Sequence, residues 1–235
     1  IGALQAHLLD AAASRTARTT AGHFRMAIDR CFTLSGVGTV VTGTVHAGEI
    51  RVGESVRVGP AAHGALTARV RTIHAQDRVS TVGVAGQRCA LNLAGIEKAQ
   101  IERGMWVQAP SLANVTERFD ATLTLSPSVA KSIGNSSTVH LHHGTDDAMA
   151  KVAVLDATRI DPGESQLVSL TLDRPLAVCR GDRFVIRDAS AQRTLGGGTV
   201  LDVMPLGYAA SRGRRGSTRC SARSRLWAAA SSRPR

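Results

Sequence analysis

Between Phe24 and Val45 the chain reads FRMAIDRCFTLSGVGTVVTGTV, and this stretch restricts the possible folds more than any other. Phe24, Met26 and Ile28 recur with a period of two, which places them on one face of a strand with one buried side. Asp29 and Arg30 follow at the end of that strand, Cys31 to Leu34 resume an apolar run, and Gly36-Val37-Gly38 makes a tight turn. Thr39 to Val45 is rich in β-branched residues and reads as a second strand. The unit is a hairpin that presents Asp29 and Arg30 at a fixed place on a β framework, and a chemical site is expected there.

The remainder repeats this texture. Ile1, Leu4 and Leu8 have helical spacing, and residues 1–22 read as the last helix of a preceding domain followed by a small, polar and basic linker. Residues 23–109 form a first domain, with further strands at 49–52, 55–58, 68–73, 89–93 and 105–108. The loop between 73 and 86 contains Asp77 and Ser80. In the strand near Cys89, residues Cys89, Leu91 and Leu93 share the core face, while Arg88, Ala90 and Asn92 share the other. Residues 96–104 are at most a helical turn or two. After a short linker at 110–114, residues 115–206 hold a second set of strands. Its last strand stands behind a kink at Gly196-Gly197-Gly198. Many short strands with regular turns and little helix favour closed barrels over a sandwich, so the fold class is all-β with two consecutive β-barrels.

The basic charge is concentrated at one end of the chain. The net charge of +11 suggests nucleic acid, but residues 207–235 hold eight arginines and no acid, which leaves +3 for residues 1–206. This Arg-rich segment lacks the apolar content to offset chain entropy and is expected to be disordered. It is either a basic arm for RNA phosphates or a shifted reading frame in a GC-rich gene, and the residues do not separate the two. The four cysteines are scattered without a CxxC, no signal peptide is visible, and no apolar run reaches the roughly 18 residues of a membrane span. A cytoplasmic chain without membrane contact is expected.

Few residues compete as sites. His140, His142 and His143 include two on one strand face, but no zinc-like spacing accompanies them, so a solvated strand is preferred to a metal centre. Neither glycine cluster precedes a helix or carries Gly-Lys-Ser/Thr, and both read as turns. No catalytic residue and no cofactor site is expected in these 235 residues. On spacing alone, Asp29 and Arg30 read as an exposed pair at a strand end.

Resemblance changes that reading. The segment 24–45, GEIRVGESVRV at 48–58 and AGQRCALNLAGIEKAQIERG at 85–104 resemble the second domain of translational GTPases of the elongation factor Tu superfamily. Ile28-Asp29-Arg30, and Ala75-Gln76 after Ile73-His74, are similar to the selenocysteine-specific branch of that superfamily. Residues 182–203 resemble the closing strands of its third domain.

The resemblance covers about residues 1–206 and implies two translation-factor barrels that deliver selenocysteyl-tRNA to ribosomes at UGA codons. It implies a selenocysteine pocket at Asp29, Arg30 and Arg88, the last being the Arg of Gly-Gln-Arg. The parent protein would bind and hydrolyse GTP with Mg2+. The GTPase motifs and the winged-helix domains that bind the messenger-RNA hairpin are not in these residues, so this chain by itself is expected to be no enzyme and to meet the hairpin only through domains missing here. Two other readings stay open: the GTPase-like subunit of an ATP sulfurylase, and a general elongation factor Tu-like binder of aminoacyl-tRNA.

Overall fold

Alternating and β-branched segments build almost all of the described structure. The computed structural model describes residues 2–14, 20–60, 64, 66–112 and 115–203. The segment 207–235, with its expected disorder, lies outside the described residues. The helix expected at the start is α1, Gly2–Ala13, and none of its residues is buried.

The first barrel comprises β1 (Arg25–Leu34), β2 (Gly38–Ala47), β3 (Glu49–Arg51), β4 (Ser55–Gly59), β5 (Leu66–Ala75), β6 (Arg78–Ser80), β7 (Val82–Val84), β8 (Arg88–Ala94) and β9 (Trp106–Gln108). Six of these close a ring in the order β4-β9-β1-β2-β8-β5, with β5 returning to β4. The ring leaves no free edge among its members, which removes the usual template for unwanted strand pairing. β6 extends the sheet beyond β5, and β3 with β7 makes a separate two-stranded ribbon. The segment 76–86, expected to be a loop, therefore contributes two short strands.

Met26, Ile28, Val41, Leu91, Ile73 and Val107 fill this barrel and are fully buried. Burying each such side chain contributes roughly 1.5–3 kcal/mol. The expectation that β1 has one buried side is corrected. Arg25 and Ala27, on its other face, are also buried, against Trp106 and Ala177. Arg25 places its guanidinium 4.4 Å from the Trp106 ring centre and donates to the Ala177 carbonyl at 3.1 Å, so a cation on a two-sided strand keeps partners. Asn92 is likewise buried rather than exposed with Arg88, because its amide donates to the Val37 carbonyl at 2.7 Å and ties down the β1–β2 turn.

The second barrel closes six strands in the order β10-β15-β13-β12-β16-β17. They are β10 (Thr116–Leu125), β12 (Thr138–His143), β13 (Asp146–Val154), β15 (Ser165–Leu176), β16 (Arg183–Arg187) and β17 (Thr194–Asp202), while β11 (Ile133–Gly134) and β14 (Arg159–Ile160) pair as a ribbon. Gly196, Gly197 and Gly198 do not form a kink before the last strand. They lie within β17 and pair with both β10 and β16. A side chain at Gly197 would meet the Phe184 carbonyl at 2.7 Å, and one at Gly198 would meet the Thr122 carbonyl and the Phe184 ring, so the run permits close backbone approach.

By packing, the chain forms two compact units. Among the described residues, the first holds 2–117 with Leu141–Ala148 and Asp173–Cys179; the second holds Arg118–His140, Met149–Leu172 and 180–203.

Candidate anion-binding site

Asp29 and Arg30 are not at a strand end but in the middle of β1. Ile28 pairs with Gly43 and Arg30 with Thr42, so Asp29 is the extra residue of a β-bulge. A bulge leaves one residue unpaired and re-aims its side chain. This is why the apolar alternation appears to break at Asp29 although the strand continues.

The bulge turns Asp29 toward β2 and, beyond it, β8. Thr42 on β2 donates its hydroxyl to Asp29 Oδ1 at 2.6 Å. Arg88, opposite Thr44 at the start of β8, grips the same carboxylate with two nitrogens, Nη1 on Oδ2 and Nη2 on Oδ1, the latter at 3.2 Å. The core face of β8, with Cys89, Leu91 and Leu93 buried, keeps Arg88 on the outside.

A fourth residue, absent from the sequence expectation, joins them. Arg103 lies in the turn before β9, and that turn is bound to β1. The Ile28 N–H donates to the Met105 carbonyl at 2.9 Å, and the Gly104 N–H donates to the Ile28 carbonyl at 3.2 Å. Gly104 has φ of +100°, a conformation in which glycine is favoured. The cleft of about 550 Å³ is lined by Asp29, Arg30, Arg88 and Arg103. The signal for Arg103 is the Glu-Arg-Gly run ahead of the closing strand, which spacing alone does not connect to residue 29.

Burial pushes the Asp29 carboxyl upward, but hydrogen bonds from Arg88 and Thr42 and the charges of Arg88 and Arg30 outweigh it and hold it below its ordinary value. The bond to Asp29 and its charge raise Arg88. Asp29 is therefore an anion at neutral pH, committed to orienting Arg88. Arg30 and Arg103 have no carboxylate within ion-pair distance among the described residues. Three guanidiniums face one carboxylate, so the cleft has a net positive charge suited to an anion.

The histidines go elsewhere. His140 and His142 are partly exposed on β12, and His143 is buried and stacked on Trp106 with ring centres 5.2 Å apart. Among the described residues, no group of three or more His, Cys, Asp or Glu side chains is placed to hold a metal ion. No helix among them is long and apolar enough to cross a membrane.

Comparison with known proteins assigns the two consecutive closed barrels to the translation elongation factors. Residues 38–108 match the family model for elongation factor Tu domain 2. Residues 120–206 match the model described as the beta-barrel domain of the selenocysteine-specific elongation factor. The chain is similar to proteins of that name from Desulfomicrobium baculatum, 35% identical over 184 residues, and Escherichia coli, 37% identical over 183. A third, from Haemophilus influenzae, is 31% identical over 181 residues. These alignments take in 77–78% of this chain and 27–28% of each relative, so the chain spans a little over a quarter of their length. Through its two barrels the chain belongs to the selenocysteine-specific elongation factor family.

Proposed function

We propose that this chain carries the part of a translation factor that binds selenocysteyl-tRNA, and that its cleft recognises the selenolate of the attached amino acid. The observation that carries this reading is the gathering of Arg30, Arg88 and Arg103 with Asp29 around one cleft of the first barrel, in a chain whose relatives are named for selenocysteine. A thiol has an unperturbed pKa near 8.5. A selenol is a stronger acid, so selenocysteine arrives as an anion, while the serine of its precursor stays neutral.

Arg88 and Arg30 pair with the anion, and Asp29 holds Arg88 in place through its two-pronged bond. With serine bound, these cations lose water without gaining a counter-charge. Each charge-assisted bond contributes roughly 1.5–3 kcal/mol. Two give about 3–6 kcal/mol, or roughly a hundredfold to ten-thousandfold preference, which desolvation of the arginines lowers.

In this reading the parent protein is a GTPase that uses GTP and Mg2+, and its partners are selenocysteyl-tRNA, the ribosome and, through other domains, a messenger-RNA hairpin. Working on the ribosome, it acts in the cytoplasm. The barrels themselves bind and do not catalyse. The names of the relatives favour this over an ATP sulfurylase subunit. Arg30, which has no carboxylate within ion-pair distance among the described residues, and the Arg88–Asp29 pair favour it over a general aminoacyl-tRNA carrier, whose varied side chains share no anion to select.

The test is a comparison of selenocysteyl-tRNA and seryl-tRNA binding before and after Arg88→Ala. The reading requires the preference between the two to fall. Equal loss for both would make Arg88 a phosphate contact or a structural residue.

A further inference from the structure

We propose that Thr145 is a positioning residue for the cleft, and that the hairpin tip carrying it governs how well the cleft discriminates an anion. This rests on the anion-binding reading above. The first compact unit includes Leu141–Ala148 and Asp173–Cys179, so the tip between β12 and β13 belongs with the first barrel.

Thr145 donates its hydroxyl to the Ile28 carbonyl at 2.8 Å. The same carbonyl accepts the Gly104 N–H at 3.2 Å. A carbonyl oxygen has two lone pairs, so both donors are accommodated. Ile28 is the last paired residue before the Asp29 bulge, and Gly104 follows Arg103. One oxygen thus ties the strand bearing Asp29 and Arg30 to the turn bearing Arg103, and Thr145 is the second donor on it.

The tip is held so that this hydroxyl arrives in place. Gly144 has φ of +61°, and a Cβ there would stand 2.7 Å from Trp106 Cζ2, which shows how close the tip runs to the indole. Asp146 is buried and bound by the Arg174 guanidinium. A Cβ at Gly104 would stand 2.7 Å from Asp146 Oδ1, so the Arg103–Gly104 turn rests directly on that buttress. Binding groups keep their geometry only when the residues behind them are themselves locked. Thr145 acts through Ile28 and Gly104 on Asp29 and Arg103, without touching the anion.

The experiment measures equilibrium binding of selenocysteyl-tRNA and seryl-tRNA by the whole chain, with Thr145→Val, Thr145→Ser and Arg88→Ala, and follows the ratio of the two affinities. Thr145→Val removes the donor at nearly constant volume and should lower the ratio roughly three- to tenfold, the range for one net hydrogen bond. Thr145→Ser keeps the donor and should restore it. Thr145→Ala, which also lacks the hydroxyl, replaces the valine variant if that one does not fold.

If the ratio is unchanged without the hydroxyl while Arg88→Ala lowers it, the positioning role is overturned and the anion-binding reading stands. If both affinities fall together without the hydroxyl, Thr145 is structural and the proposal is likewise overturned. If Arg88→Ala itself leaves the ratio unchanged, the anion-binding reading fails, and the inference built on it fails with it.

Discussion

Arg88 and Asp29 lie 59 positions apart and join across a strand that belongs to neither: β2 runs between β1 and β8, and its Thr42 donates to the carboxylate that Arg88 grips. The pair therefore reports the order of strands in the barrel. It also leaves Arg30 and Arg103 as cleft cations with no carboxylate within ion-pair distance among the described residues, and this division of labour sets what each substitution should do.

Replacing Arg88 or Arg30 by Ala should weaken selenocysteyl-tRNA binding by roughly 1.5–3 kcal/mol each, with little change, or a slight gain, for seryl-tRNA. The double variant should fall short of additive, because both arginines hold the same selenolate. Titration of both charged tRNAs against the four proteins, in a parent that includes a GTPase domain, measures this. Full additivity would separate the two residues into different subsites.

Asp29 should make the barrel acid-sensitive in a defined direction. Its folded value is depressed, so its contribution to stability is complete above the unfolded value near 3.8 and is lost as pH falls through the lower folded value. Thermal unfolding of the native chain and of Asp29→Asn should differ by a constant amount above about pH 5 and converge below it. A difference that grew on acidification would contradict the pairing with Arg88.

Gly43→Ala should destabilise the first barrel. Gly43 pairs with both Ile28 and Cys89, and a Cβ there would collide with the Ala27 carbonyl and reach the Met26 side chain at 3.1 Å. Forcing atoms into such a place costs roughly 1–3 kcal/mol. Denaturant unfolding measures it, and an unchanged midpoint would show that β1 and β2 separate easily.

Residues 23–206 should fold without their flanking segments as a β-rich monomer, with domain limits near 23–109 and 115–206, because each barrel closes its own ring of strands. Far-ultraviolet circular dichroism of that segment is the check. A helix-dominated spectrum would refute it.

Deleting residues 207–235, with their eight arginines, should weaken binding to cognate and unrelated RNA alike and flatten its salt dependence. Filter binding across a salt series reads both effects. Loss confined to one RNA would make the segment a recognition element.

Much of this protein is legible along single strands. The alternation of Met26 and Ile28, and of Cys89, Leu91 and Leu93, identifies core faces that are buried, and it puts Arg88 outside. Side-chain direction within one strand depends on local geometry alone, so local pattern is enough. The motifs at 24–45 and 85–104 similarly mark the first barrel as an elongation-factor domain, and they point to Asp29, Arg30 and Arg88 as candidates before any coordinate is known.

What lies between strands was decided elsewhere. The bulge at Asp29 exists only relative to a partner strand, because an extra residue is extra only when β2 supplies one fewer. Arg25 and Ala27 are buried by Trp106 and Ala177, residues far along the chain that no periodicity in 24–34 can announce. The glycines of β17 read as a kink from composition, yet they are required by carbonyls at Thr122, Thr124 and Phe184 that press on them from both sides. Arg103 and Thr145 meet the site through one carbonyl of Ile28. The sequence by itself determined which faces are apolar and which side chains carry charge. Only ring closure, which brings distant strands to one hydrogen-bonded register, decided which charges converge and what holds them there.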